Sequence, residues 1–174
     1  PLYRLIIQIS VSAIALYDLS YLTLYSSYFI ILLIMYVAWI NAFNFMDGIN
    51  GISVIYSLVI CISLFFVDKM VYHHSLIIFL SIAMLSFGLF NVRSKAEVFL
   101  GDVGSTTVSY VLGYLIIFLI FETGRLEYIL FLLVYGIDVS YTILERLLNG
   151  ENIFRPHRKH LYQTLTNEFG FSHL

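Results

Sequence analysis

The sequence predicts an all-α, polytopic membrane protein, because its composition leaves too few charges to cover a water-facing surface. Apolar residues make up 60% and charged residues 11% of the 174 residues, against about 45–50% and about 25% in soluble domains. The mean hydropathy is +0.91. The apolar runs are continuous rather than alternating, which favours helices over the strands of an outer-membrane barrel. These observations exclude a soluble globular domain, a disordered chain and a charge-driven nucleic-acid binder.

Charge-free stretches of bilayer length define the predicted helices, since crossing a hydrocarbon core of about 30 Å takes about 20 apolar residues. We predict a bundle of about six helices, made of five spans and a shorter apolar segment that carries Gln8. The spans are Ser27–Asn41, Ile49–Val67, Ser75–Asn91, Thr106–Phe121 and Tyr128–Leu144, and the shorter segment is Leu5–Tyr17. Residues 1–174 then form a single membrane domain, in which 1–144 are transmembrane helices and loops and 145–174 are a cytoplasmic basic tail.

The distribution of basic residues predicts the orientation of the bundle. With alternating spans, seven of the nine Lys and Arg residues fall on one side, and the positive-inside rule makes that side cytoplasmic. These seven are Arg4, Arg93, Lys95, Arg146, Arg155, Arg158 and Lys159. Three segments with unusual polar residues fall on the same side: 41–51, 93–105 and the tail after 144. We therefore predict one cytoplasm-facing site in a multi-pass protein of the inner membrane.

The first polar segment carries Asn41, Asn44 and Asp47 at intervals of three residues, which places them on one face of a helix. Asn50 continues the series. Two glycines in the same segment allow a helix break or a close backbone approach. A carboxamide face that ends in a carboxylate can bind a polar ligand such as a nucleotide base or ribose. The alternative is that Asn or Asp caps the next span, which would explain one of these four residues.

The second polar segment places Asp102 between Gly101 and Gly104, just before Ser105 and the next span. The glycines leave backbone N–H groups free near a helix N-terminus, where phosphate binds readily. A carboxylate there would repel phosphate unless a cation bridged them, and Mg²⁺ forms such bridges with one or two carboxylates. The alternative is again a helix cap, with Asp102 or Ser105 at the helix start.

The third polar segment is the basic stretch 145–163. Cations such as Arg155 and Arg158 can hold a pyrophosphate or anionic lipid headgroups, and the alternative is a positive-inside anchor without a catalytic role. His157 and His160 have a spacing compatible with metal ligation, although their basic neighbours favour contact with an anion. Asp138 lies within the last span, where an ionised group is costly. It either faces inward and is functional, or it forms a structural hydrogen bond to a neighbouring helix.

Three segments in order resemble the polyprenyl-phosphate N-acetylhexosamine-1-phosphate transferases, a family related to phospho-N-acetylmuramoyl-pentapeptide transferase. They are Asn41–Ile52, Val98–Ser105 and Pro156–Gln163. The run Glu145–Asn152 before the third segment most resembles the branch that initiates O-antigen and capsule-type polysaccharides. The resemblance implies a reaction in which undecaprenyl phosphate, or another polyprenyl phosphate, attacks the β-phosphate of a UDP-N-acetylhexosamine and UMP leaves.

The resemblance also implies roles for individual residues. Asp102 matches the metal-ligand aspartate of a Mg²⁺-dependent enzyme, and Asp47 matches an aspartate linked to nucleotide binding and catalysis. Asn41 and Asn44 would help to form the nucleotide pocket. The C-terminal segment would contact the diphosphate, with His160 counted as catalytic. The substrate-binding residues of that segment would be Arg155, His157 and Arg158.

This chain differs from the family pattern in two of the motifs, and one loop of the family pattern is not found in it. Many members have a second aspartate where this chain has Asn50, and of the family's histidine-rich C-terminal motif His160 is the residue that carries over. Members also have an earlier loop with adjacent aspartates, upstream of a segment like Leu2–Gln8. We therefore expect the chain to be a C-terminal portion that lacks N-terminal helices and is inactive alone. A membrane transporter or channel, suggested by Asp138, and a non-catalytic scaffold are the alternatives, and a homodimer is left open.

Overall fold

A computed structural model describes residues 2–19 and 28–152, and every regular element within these ranges is helical. Two short 3₁₀ helices, Asp68–His73 and Leu126–Leu132, lead into the fourth and sixth α-helices. The α-helices are α1 (Leu2–Leu19), α2 (Tyr28–Met46), α3 (Ile52–Phe65), α4 (His74–Asn91), α5 (Gly101–Thr123) and α6 (Leu133–Leu148). The prediction of an all-α bundle of about six helices is confirmed.

Five helical segments are long and apolar enough to cross a membrane. They are Leu2–Leu19, Phe29–Met46, Asp68–Asn91, Gly101–Thr123 and Leu126–Leu148. The remaining helix, α3, has 14 residues and is shorter than the predicted span Ile49–Val67. Many large apolar side chains point outward from the bundle, as expected where a helix faces lipid rather than water. The protein is thus a multi-pass membrane protein.

The helix boundaries differ from the predicted spans where the backbone, rather than hydropathy, sets the end of a helix. Gly51 has φ 80°, a left-handed conformation that glycine adopts without steric cost, and α3 begins directly after it. Helix α5 begins at Gly101 rather than at Thr106, because a polar first turn can project into water at the membrane surface. Asp102 therefore lies on the first turn of α5 and not in a loop before it.

The centre of the bundle is the contact between α2 and α5, which fixes the position of the polar residues at one end of these helices. Tyr36 and Phe43 of α2 and Leu112 of α5 are fully buried in this core. A side chain at Gly113 would overlap the rings of Tyr36 and Trp39, so glycine permits the close approach of the two helices. The packed contact continues to the end of the bundle that carries Asn44 and Asp102.

Candidate functional site

Four polar residues from three helices meet at one end of the bundle, which we call the polar end. Arg4 of α1 donates from Nη1 to Asp102 Oδ2 at 2.9 Å and from Nη2 to Asn44 Oδ1 at 2.9 Å. Asn44 of α2 donates from Nδ2 to Asp102 Oδ1 at 3.2 Å and to Ser105 Oγ at 2.6 Å. We call Arg4, Asn44, Asp102 and Ser105 the Asp102 group. Its bonds join α1, α2 and α5, and the bonded pair Arg4 and Asp102 lies 98 positions apart in sequence.

Asn41 lies one turn before Asn44 on α2 and also faces α1. Its Nδ2 donates to Gln8 Oε1 at 3.0 Å and to the Val37 carbonyl at 2.8 Å. Gln8 is buried, with 5% of its surface exposed, so a polar contact continues from the polar end into the α1–α2 interface. The prediction that Asn41 and Asn44 share a helix face is confirmed.

Asp47 directly follows α2, which ends at Met46. Its N–H still donates to the Phe43 carbonyl at 3.1 Å, as in a further helical turn, but its side chain bonds to α3. Its Oδ1 accepts a hydrogen bond from Ser53 Oγ of α3 at 2.6 Å. Burial raises the pKa of the Asp47 carboxyl above its usual value, and the Ser53 hydrogen bond lowers it in part. The carboxyl thus holds a proton more readily than an exposed aspartate does.

Asn91, at the end of α4, links the loop that carries Asp47 to the loop that precedes Asp102. Its Oδ1 accepts from the Gly51 N–H at 2.7 Å, and its Nδ2 donates to the Val98 carbonyl at 2.9 Å. Asn91 is 5% exposed. Asn50 adds a second link, since its Nδ2 donates to the Arg93 carbonyl at 2.8 Å. Loops 47–51 and 92–100 are therefore held together, and with them the two aspartates.

The helix-cap alternatives do not account for these polar residues. The residues that precede α3 and α5, Gly51 and Leu100, make no side-chain cap hydrogen bond. Asp102 instead bonds to residues of α1 and α2, and Asn50 bonds to the backbone of the neighbouring loop. The residues that a cap would explain are used to connect separate elements.

Several residues of this region are not among the predicted site residues. Arg4 entered the sequence analysis as a topological charge, and Asn91 entered as the end of an apolar span. Ser53 gave no signal, since a serine within an apolar helix is common. A polar residue at the end of a span, such as Asn91, is the signal that could have been followed.

The chemistry of the Asp102 carboxylate fits an oxygen-seeking cation. Its side chain is 75% exposed at the polar end, and Mg²⁺ needs one or two carboxylates when water and substrate phosphates supply its other ligands. No group of three or more His, Cys, Asp or Glu side chains is placed to hold a metal within residues 2–19 and 28–152. The predicted residues Arg155, His157, Arg158 and His160 lie outside the described residues.

Asp138 and Arg146 are buried on the same side of α6. Asp138 is 8% exposed, and its Oδ1 accepts from Thr142 Oγ1 at 3.3 Å. Arg146 is 3% exposed and donates from Nε to Glu151 Oε2 at 3.1 Å and from Nη2 to the Asn152 carbonyl at 2.6 Å. Both residues thus have hydrogen-bond partners within the described part of the chain, and Thr142, which donates to Asp138, lies on the same helix and not on a neighbouring one.

Comparison with known proteins gives matches to one enzyme family. Residues 1–120 match the family model described as "Glycosyl transferase family 4". A probable undecaprenyl-phosphate N-acetylglucosaminyl 1-phosphate transferase of Bacillus subtilis is 30% identical over 149 residues, which cover 79% of this chain and 41% of that protein. A phospho-N-acetylmuramoyl-pentapeptide-transferase of Thermotoga neapolitana is 30% identical over 129 residues, covering 74% of this chain and 42% of that protein.

A second phospho-N-acetylmuramoyl-pentapeptide-transferase, from Leuconostoc mesenteroides, is 40% identical over 81 residues, covering 45% of this chain and 25% of that protein. The chain spans less than half the length of each of these relatives. No solved structure matches it. Because the family model covers more than half of the chain, this protein belongs to glycosyl transferase family 4.

Proposed function

We propose that the whole protein transfers N-acetylhexosamine-1-phosphate from a UDP-sugar to a polyprenyl phosphate in the membrane. An oxygen of the lipid phosphate forms a bond to the β-phosphorus of the UDP-sugar. The bond from that phosphorus to the bridging oxygen breaks, and UMP leaves. The relatives from Bacillus subtilis and Thermotoga neapolitana carry names of this reaction class, and family membership is one support for the proposal.

The observation that carries the proposal is the Asp102 group. An arginine, an asparagine and a carboxylate from three helices converge at the end of an apolar bundle. This is the place where a water-soluble nucleotide sugar can meet a lipid phosphate that is anchored in the membrane. Phosphoryl transfer depends mostly on positioning and on charge stabilisation, and a preorganised polar cluster provides both.

The two aspartates and the two asparagines have separate tasks in this proposal. Asp102 would hold Mg²⁺, which when bound neutralises phosphate charge during transfer. Asn44 orients the Asp102 carboxylate, since its Nδ2 lies 3.2 Å from Oδ1. Asp47, whose pKa burial raises, would bind the nucleotide together with Asn41 and can accept a proton. Beyond the described residues, His157, His160, Arg155 and Arg158 would contact the diphosphate.

The polysaccharide product, the membrane and the orientation of the active site are also part of this proposal. We propose an O-antigen or capsule-type product, a position in the inner membrane and an active site that faces the cytoplasm. The expectation that the 174 residues alone are inactive also stays a prediction. Rapid Mg²⁺-dependent UMP release by the purified 174-residue chain would contradict it.

The proposed function is tested with the native protein in membrane vesicles that contain undecaprenyl phosphate. A panel of UDP-N-acetylhexosamines is added, and UMP and the lipid-linked sugar are quantified by mass spectrometry. We expect one UMP for each lipid diphosphate sugar formed, with one preferred donor. The matched control is Glu97→Gln, which removes an exposed carboxylate that pairs with Arg93. Free sugar phosphate or UDP in place of UMP would contradict the proposed bond cleavage.

A further inference from the structure

Arg4 forms an ion pair with Asp102, the carboxylate that would bind the metal ion in the proposed function. Its Nη1 lies 2.9 Å from Asp102 Oδ2. The other carboxylate oxygen, Oδ1, accepts from Asn44 Nδ2 at 3.2 Å. Both oxygens of Asp102 therefore have a donor. A cation that approaches Asp102 must share or displace one of them, and the donor that carries a positive charge is Arg4.

The ion pair between Arg4 and Asp102 is exposed, so Arg4 can be replaced on Asp102 by another cation. The side chains of Arg4 and Asp102 are 38% and 75% exposed, and water screens an ion pair this exposed, so that it contributes little to stability. A buried arginine, by contrast, is hard to move: Arg146 is 3% exposed and would leave charges unpaired in the core. Arg4 can thus leave Asp102 at small cost.

The second hydrogen bond of Arg4 keeps the guanidinium close when the first one breaks. Its Nη2 donates to Asn44 Oδ1 at 2.9 Å, and this acceptor is neutral. A divalent cation on Asp102 repels the guanidinium at a few ångströms, while a phosphate bound to that cation attracts it. The planar fork of arginine fits phosphate oxygens as well as carboxylate oxygens.

We propose that Arg4 pairs with Asp102 while no metal ion is bound there. When the metal and the diphosphate bind, Arg4 moves from Asp102 to a phosphate oxygen of the donor. This inference rests on the proposed function, because it needs a metal ion at Asp102. It makes Arg4 a residue with two successive partners: a carboxylate in the free protein and a phosphate in the loaded one. Without nucleotide, Arg4 then weakens metal binding. With nucleotide, it strengthens donor binding.

The test measures metal binding directly, without turnover. Mn²⁺ is titrated into the native protein in detergent, and free Mn²⁺ is followed by electron paramagnetic resonance. For Arg4→Gln we expect Mn²⁺ without nucleotide to bind about two- to fivefold tighter than in the wild type. For the same variant with UDP-N-acetylglucosamine present, we expect the donor to bind more weakly. Arg4→Lys, which keeps the charge but not the fork, should change both quantities in the same directions and by less.

Two further variants separate the outcomes. Arg93→Gln removes a cation on the same side of the bundle that pairs with Glu97, and it should leave Mn²⁺ affinity unchanged. If Arg4→Gln and Arg4→Lys bind Mn²⁺ as the wild type does while Asp102→Asn loses it, the exchange of Arg4 is wrong and the metal site stands. If Asp102→Asn binds Mn²⁺ normally, the metal role of Asp102 in the proposed function fails first. Should Arg4→Gln not fold, Arg4→Lys decides by the same criterion.

Discussion

Asp47 and Asp102 lie at the same end of the bundle and have opposite surroundings. Asp102 is an exposed carboxylate whose oxygens accept bonds from Arg4 and Asn44. Asp47 is half-buried, its hydrogen-bond donor is the neutral hydroxyl of Ser53, and none of the ion pairs among the described residues includes it. A carboxylate that is exposed and cation-paired suits a metal ion. A carboxyl whose pKa burial raises suits proton uptake or a neutral hydrogen bond.

The difference between the two aspartates follows from their positions relative to the helices. Asp102 is on the first turn of α5, from which a side chain projects outward into water. Asp47 follows the last residue of α2, and the chain turns back at once into α3, so its carboxyl is covered by the residues that follow it. Two aspartates that look alike in sequence thus acquire different exposure and different partners. The predictions below test this division, beginning with the largest expected effect.

Asp102→Asn should abolish most of the turnover of the native protein. The substitution keeps the shape of the side chain but removes the charge that a metal ion and Arg4 both need. We expect kcat to fall by about 100-fold or more, measured as UMP release in saturating donor. Glu97 is another exposed carboxylate and pairs with Arg93. The control variant Glu97→Gln should change kcat by less than about twofold. Equal losses in the two variants would mean that general charge, and not the position of Asp102, matters.

Asn91→Ala should separate the loops that carry the two aspartates. The variant leaves the buried Gly51 N–H without its acceptor and the Val98 carbonyl without its donor. We expect the free energy of unfolding to fall by about 1–3 kcal/mol, measured by thermal unfolding in detergent, together with a drop in kcat.

Ser86→Ala on the same helix serves as the control for Asn91, because its exposed hydroxyl bonds to the Ile82 carbonyl within α4. It should be close to neutral. If Asn91→Ala behaves like Ser86→Ala, the link between the two loops does not contribute to the site.

Ser53→Ala should shift the pH dependence of turnover. The Ser53 hydroxyl stabilises the ionised form of Asp47, so its loss raises the Asp47 pKa further. If the ionised carboxylate is the working form, the acid limb of kcat/KM moves to higher pH. Ser53→Thr keeps a hydroxyl and should restore the wild-type limb. An acid limb that moves to lower pH in Ser53→Ala would contradict the assignment.

Asp47→Asn should stabilise the protein slightly at neutral pH. Because burial raises the Asp47 pKa, the folded protein holds this proton more tightly than the unfolded chain does. Stability is then lost as pH rises from the usual carboxyl value of 3.8 through the raised pKa. The thermal midpoint of Asp47→Asn should exceed that of the wild type at pH 7, and the difference should shrink as the pH falls. A higher midpoint that does not shrink as the pH falls would contradict the assignment to Asp47.

The sequence was informative where a long apolar run sets the structure, and less so where single contacts set it. Hydropathy located the helices because a bilayer imposes their length, and the spacing of Asn41 and Asn44 predicted that they share one face of α2. Hydropathy could not place the end of α2 before Asp47, which depends on the turn that ends at Gly51. Nor could local spacing bring Arg4 to Asp102, since that contact arises from the packing of α1, α2 and α5 over 98 positions.

The central claim, that Asp102 and not Asp47 holds the metal ion, is tested most directly by changing the metal preference of each position. In Asp102→Cys and Asp47→Cys, UMP release by the native protein is measured with Mg²⁺ and with Cd²⁺, since a thiolate favours soft ions over Mg²⁺. Wild-type protein in Cd²⁺ corrects for the buried Cys61. We expect Asp102→Cys to be inactive with Mg²⁺ and to regain turnover with Cd²⁺, and Asp47→Cys to show no rescue. Rescue of Asp47→Cys in place of Asp102→Cys would contradict the account.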